Sequence, residues 1–217
     1  MKDLTETDTL DELYQLIYGF IESAIQLKRL PRQGWIRIGI SLSDVESVAD
    51  HAYNTTMLSL LLSDLHNALY PERPINTEVV MRLAIVHDLP ECKYQDFDRQ
   101  VKIMLGQDRY QQFKSQLLTT ASTEMLSLIL NEEVKKQWQE MFQELQEEES
   151  TEMKFVSYVD KMEVLIQAIS YETIGYHSFL FDSFWETSKK FLEDCPFDVI
   201  NDLLPILEEE RASIGKK

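Results

Sequence analysis

The sequence predicts an all-α, single-domain fold, and three observations carry the prediction. Apolar residues recur every three or four positions through most of the chain, the period of an amphipathic helix. No segment alternates apolar and polar residues for long enough to read as a strand. Only six Gly and six Pro interrupt 217 residues, of which 44% are hydrophobic and 27% charged, the balance of a globular, helix-rich chain. A chain of this length buries a substantial core without disulfides.

In order, the first helix is expected from Thr9. There Thr9-Leu10-Asp11-Glu12 reads as a capping box, and Leu10, Leu13, Leu16, Ile17, Phe20, Ile21, Ala24 and Ile25 keep an apolar stripe. Pro31 stops it. Residues 32–40 contain two Gly, a Trp and two Arg, and their alternation is too short for a strand, so a loop is expected. A second helix starts near Ser47, with Asp50 three residues on, and runs past Met57, Leu58, Leu61 and Leu62 to about Leu69, placing His51 in its first turns. Pro71 and Pro74 break the chain before Asn76 or Thr77 caps a third helix through Val79, Val80, Leu83, Ala84 and His87. Pro90 ends or bends that helix.

Residues 107–130 predict one or two amphipathic helices carried by Tyr110, Phe113, Leu117, Leu118, Met125, Leu126 and Ile129. A helix over Glu132 to Glu149 follows, with Trp138, Met141, Phe142 and Leu145 on one face and a solvated acidic end at Glu147-Glu148-Glu149. Ser150 and Thr151 cap a helix through Phe155, Val156, Val159, Met162, Leu165 and Ile166. Asp160 sits in its middle, where an unpaired carboxylate on the apolar side is costly. Helices over about residues 181–193 and 197–212 finish the chain.

Composition excludes several function classes. Lys and Arg total 21 against 38 Asp and Glu, a net charge of −17 that repels a nucleic-acid polymer. A small anionic substrate remains compatible where a cation and a few basic residues invert the field in one pocket. Two cysteines, Cys92 and Cys195, give no disulfide framework and fit a reducing compartment. Met1 to Asp11 is charged and polar rather than signal-like, and no apolar run approaches the ~18 to 20 residues of a membrane span. The expectation is a cytoplasmic protein with no membrane partner.

The chemistry centres on Ile85-Val86-His87-Asp88-Leu89-Pro90-Glu91-Cys92-Lys93-Tyr94-Gln95-Asp96. The His87-Asp88 doublet offers an imidazole and a carboxylate, which suit a hard-to-borderline divalent cation. Two ligands do not hold a metal firmly, and the candidate partners are His51 and Asp160, each on its own predicted helix among apolar neighbours. His66 and His177 read as structural. Glu91 shares a face with His87 if the helix continues through Pro90, and reads as a general base or acid. Arg32 has planar donors that fit two phosphate oxygens, and Trp35 suits closure over a base or sugar. Lys161 reads as a solvated lysine. Cys92, without a Cys partner or basic cluster nearby, is not a thiolate nucleophile.

The ordered set His51, His87-Asp88, Asp160 resembles the HD-domain superfamily of metal-dependent phosphohydrolases, and within it the 5'-deoxynucleotidase branch. Leu27-Lys28-Arg29-Leu30-Pro31-Arg32-Gln33-Gly34-Trp35 is similar to that branch's stretch before its first metal-binding His. Glu46-Ser47-Val48-Ala49-Asp50-His51 resembles its ESVxDH motif, and His87-Asp88-Leu89-Pro90-Glu91 its HDxxE motif. Phe155 to Glu163, with Gln167-Ala168 and Tyr171-Glu172, is similar to its last-ligand helix. Two departures stand out: the stretch from Trp35 to Glu46 lacks a good match to the branch's RNV segment, around Arg37, and Gln95 stands where the family commonly has Gly.

The resemblance implies one HD domain over residues 1–217, with its metal-site core at about 27–172 and helices 181–212 packing on it. It implies hydrolysis of deoxynucleoside 5'-monophosphates to nucleoside and phosphate, metal ligation by His51, His87, Asp88 and Asp160, and Glu91 and Asp96 as acid/base groups. Arg32 and Trp35 would contact substrate. A divalent cation held this way lowers the pKa of water and offsets phosphoryl charge. Mn²⁺ or Co²⁺ is favoured, with Mg²⁺, Zn²⁺, Fe²⁺ or Ni²⁺ as alternatives. A homodimer is expected. The rival readings are a cyclic-nucleotide or alarmone hydrolase of the same superfamily, and a non-catalytic nucleotide-binding protein with a structural metal.

Overall fold

Among the residues described by this computed structural model, 7–97 and 99–214 with the side chains of 7–9 and 99 excepted, every element is helical apart from one isolated bridge between Pro31 and Ser47. Helix α1 spans Thr7–Ile25 and passes into a 3₁₀ turn at Gln26–Arg29. It therefore already includes Thr9, which is an interior residue rather than the cap, and it ends before Pro31. Residues Gln33–Arg37 form a short helix α2 where the sequence suggested a loop. Its cause is tertiary: Trp35 is buried, and Gly39, at φ 97°, ends the turn in a conformation that favours glycine.

Helix α3 (Val48–Leu69) begins in the expected capping box, Ser47 Oγ accepting from the Asp50 N–H while Asp50 accepts from the Ser47 N–H. Helix α4 (Thr77–Val86) is capped by the Asn76 side chain. It stops at Val86. His87 to Pro90 pass through tight turns, the Leu89 N–H reaching the Val86 carbonyl and the Glu91 N–H the Asp88 carbonyl, before the one-turn α5 (Glu91–Tyr94). The helix thus does not continue through Pro90, and α5 is a new start.

The chain continues through α6 (Arg99–Leu105), which the sequence reading did not anticipate, then α7 (Gln107–Ser127), α8 (Glu132–Glu147) and α9 (Thr151–Thr173), the last capped by Ser150. A 3₁₀ turn at Ser178–Phe181 leads to α10 (Asp182–Leu192), and the last expected helix is divided into α11 (Asp198–Asn201) and α12 (Leu203–Ser213). Pro205 explains the division, since it has no N–H for the Asn201 carbonyl and its ring crowds that group.

Helices α3, α4 and α9 pack on one another around Val48, Leu83, Ala84, Phe155, Val156, Val159, Met162 and Leu165, all at most 1% exposed. On its inner face α3 carries His51, Thr55, Ser59 and Ser63, also buried, so short side chains let its neighbours approach closely. At the other end Arg211 fixes the C-terminal helices. Its guanidinium donates to buried Glu172 on α9, the Ser178 carbonyl and Asp182, and lies over the Trp185 ring. No helix among the described residues is long and apolar enough to cross a membrane.

Candidate active site

The first turn of α3, the end of α4 and the middle of α9 bring His51, His87, Asp88 and Asp160 together. His51 Nε2 lies 3.0 Å from Asp160 Oδ1, 3.7 Å from Asp88 Oδ2 and 3.4 Å from His87 Nε2, and His87 Nε2 lies 3.3 Å from Asp88 Oδ2. Atoms bound ~2.1 Å from a common ion at right angles are about 3 Å apart, so this spacing fits a single divalent cation. The donor set also fits. Each imidazole has its Nδ1 occupied elsewhere, His51 on Glu163 Oε2 at 2.6 Å and His87 on the Ala84 carbonyl at 2.7 Å. Both Nε2 atoms consequently point into the cluster, where a neutral ring offers its lone pair to an ion, the device by which neighbouring acceptors orient histidine ligands.

Glu163 belongs to a second buried group with Glu46 and His51. Its 2.6 Å contact with Nδ1 is a hydrogen bond and leaves no room for an ion, so Glu163 orients His51.

Electrostatics follow from this crowding. Burial and Arg32 oppose charge on His51, yet its bonds to Asp160 and Glu163 prevail and raise its pKa to about 9. Burial opposes ionisation of Asp88, but His87, Arg32 and His51 hold it below the usual carboxylate range. Asp160 is held low in the same way by Lys161 and both histidines. Burial, together with Asp88 and Asp96, pushes Glu91 well above the usual range, and its Oε2 is buried without a hydrogen-bond partner. Burial and Glu163 raise Glu46 to about 7.

A cavity of about 330 Å³ opens beside the cluster, within the size range of small-molecule sites. Arg32 and Lys161 join the two: Arg32 Nη1 lies 3.1 Å from Asp88 Oδ2, Lys161 Nζ lies 2.5 Å from Asp160 Oδ2, and both line the cavity. Lys161 is half-buried rather than solvated. Trp35 is fixed, not a mobile lid. It is 2% exposed, donates its N–H to Glu46 at 2.7 Å and packs on Tyr171, Phe181 and Phe184, so it meets the cavity only as part of the wall. Asp96 also borders the cavity, its Oδ2 accepting the Gln33 N–H at 2.7 Å. The preceding Gln95 has φ 79° and ψ 162°, a conformation nearly confined to glycine, so the chain keeps the backbone of the commoner Gly without its freedom.

Sequence reasoning assigned no role to Glu163 or Glu46. Glu163 did carry a signal, because it stands one turn beyond Asp160 on the same helix face. His66 is structural, its Nε2 facing the Arg73 carbonyl, and His177 lies outside the cluster at the start of the 3₁₀ turn. Burial raises both thiols, Cys92 and Cys195, to about 11, so neither is a thiolate at neutral pH.

An all-α protein with two oriented imidazoles, two carboxylates and a cation-lined cavity has the design of a metal-dependent phosphohydrolase. The HD-domain family profile matches residues 24–197, and the chain belongs to the HD-domain family. It is 31% identical over 194 residues to the 5'-deoxynucleotidase HDDC2 of Danio rerio, covering 89% of this chain and 86% of that protein. It is 30% identical over 159 residues to the 5'-deoxynucleotidase hdd1 of Schizosaccharomyces pombe, covering 72% of each. The structure of the PH0347 protein from Pyrococcus horikoshii OT3 superposes with a TM-score of 0.70 at 26% identity, covering 89% of this chain and 99% of that one.

Proposed function

We propose that the chain is a metal-dependent 5'-deoxynucleotidase that hydrolyses deoxynucleoside 5'-monophosphates to deoxynucleoside and phosphate. The observation that carries this reading is the junction of the ligand cluster with the cavity through Arg32 and Lys161, two cations in a chain of net charge −17. His51, His87, Asp88 and Asp160 would hold the cation, which supplies a more acidic water and offsets phosphoryl charge. Arg32 and Lys161 bind the phosphate oxygens and orient phosphorus toward the cluster. Glu91 Oε2, kept protonated by burial, gives its proton to the nucleoside 5'-oxygen as the P–O bond breaks. Asp96 orients the water that adds to phosphorus, and that water's proton passes to the Glu91 carboxylate, restoring the acid and leaving hydrogen phosphate.

Membership of the HD-domain family supports Mn²⁺ or Co²⁺, and the mixed oxygen and imidazole donors are compatible with either. Two free cysteines, Cys92 and Cys195, support a cytoplasmic setting. Exposed Tyr53, Met57, Leu61, Leu65 and Leu69, spaced by one turn along α3, support a homodimer through that face. The deciding experiment is phosphate release from ribo- and deoxynucleoside 5'-monophosphates after chelation and separate reloading with Mn²⁺, Co²⁺, Mg²⁺ or Zn²⁺. The expected result is metal-restored turnover favouring deoxynucleotides. Inertness toward every nucleotide with turnover of another phosphoester sinks the reading.

A further inference from the structure

The phosphate end of the cavity is marked by Arg32 and Lys161, each bonded to a candidate metal ligand. From Lys161, one turn along α9 brings Val164 into the same wall, and α10 packs against α9 there. Behind His51 the cluster is closed by buried Glu163, which holds its Nδ1. The cavity that starts at these two cations is lined by α10 and also by Phe97, Lys102 and Tyr110, and a nucleotide with its phosphorus at the cluster has room to lay its base against α10.

Phe184 is the aromatic group on that wall. Its ring stacks on Trp35 with centroids 4.3 Å apart and planes 27° from parallel. Gly34 admits it closely, since a Cβ there would stand 3.4 Å from the ring. The ring is only half-buried, and it borders the cavity together with the exposed Ser183 and Thr187. This wall has no carboxylate; a flat apolar plane flanked by the Ser183 hydroxyl and by Thr187 Oγ1, which donates to the Ser183 carbonyl and keeps its acceptor lone pairs, is chemistry that fits a nucleobase, with stacking on the ring and hydrogen bonds at the edge.

We infer that α10 supplies the nucleobase subsite, with Phe184 as its stacking platform and Ser183 and Thr187 at its polar edge; this rests on the nucleotidase reading above. The test measures kcat and KM of the Mn²⁺-loaded enzyme for deoxynucleoside 5'-monophosphates and for 2-deoxyribose 5-phosphate, which keeps sugar and phosphate but has no base. In Phe184→Leu, KM for nucleotides is expected to rise about tenfold, the size of one stacking contact, while the sugar phosphate changes by less than twofold. Phe184→Tyr restores the nucleotide KM, and Thr187→Val changes the ranking of bases without changing the sugar phosphate. Equal losses on both substrate types, or no change in either variant, overturn the subsite. So does a wild-type enzyme that cleaves nucleotides and the sugar phosphate equally well, an outcome that leaves the nucleotidase reading standing. Wild-type silence toward nucleotides overturns that reading and the subsite with it.

Discussion

The ligand cluster lies beside the cavity that the α10 wall lines, joined to it through Arg32 and Lys161, and the two are built in opposite ways. In the cluster, His51 is fully buried, both Nδ1 atoms are tied by hydrogen bonds, and the residues come from the long core helices α3 and α9 and from the turn that follows α4. The wall presents a half-buried ring and exposed hydroxyls on an eleven-residue helix anchored from behind by Arg211. Chemistry at phosphorus demands fixed atoms, whereas contact with a base tolerates give. Damage in the cluster should therefore be close to all-or-none, and damage on the wall graded.

The largest break is Asp88→Ala, expected to abolish metal content and phosphate release together; retained turnover would remove Asp88 from the ligand set. Next, Glu163→Gln leaves every candidate ligand in place but weakens the acceptor that aims His51, and metal affinity should fall roughly 10- to 100-fold by titration.

The pH dependence sharpens the contrast further. Metal-free, His51 has its pKa raised from 6.5 to about 9, so the stability it contributes is complete below about 6.5 and is lost as pH rises through 9. Metal binding needs the neutral ring, so affinity should climb up to roughly tenfold per pH unit across that same window, with one proton released per ion at neutral pH. Melting curves and metal titrations should thus run in opposite directions; parallel curves would refute this account.

A smaller effect is expected behind the wall. Glu46, raised to about 7, loses stability as pH rises through that value, and Glu46→Gln keeps an acceptor for Trp35 without the charge. The variant should melt roughly 2–4 °C higher than wild type at pH 8 and equally at pH 5. Smallest of all is Lys189→Ala. Its partner Glu208 is exposed, as Lys189 itself is, and such pairs contribute about 0–1 kcal/mol, so neither the melting temperature nor the nucleotide KM should move measurably.

The contrast also explains what could be read from sequence. The gathering of His51, His87, Asp88 and Asp160 was legible because polar residues among apolar helical neighbours are costly when unpaired and because their order resembles a known pattern, and Ser47 and Asn76 were legible because capping is local chemistry. Helix α2 was not legible, since what holds it is the burial of Trp35 against Tyr171, Phe181 and Phe184, residues far along the chain. Glu163 was hidden by company: among 38 acidic residues, one buried glutamate looks like the solvated rest. Phe184 reads as one more core aromatic until its neighbours are placed. Pro205 stands in plain sight, yet the apolar pattern over 197–212 reads as one helix through it, and the break after Asn201 was missed.

Gln95 has a consequence for anyone selecting sturdier variants of this protein. A non-glycine residue in its conformation costs of order 1–3 kcal/mol, so Gln95→Gly is a natural winner in a heat-challenge screen. The same change loosens the hinge one residue before Asp96, whose carboxylate is held by the Gln33 N–H. Thermal robustness and turnover are set against each other at this position, and directed evolution for one should erode the other.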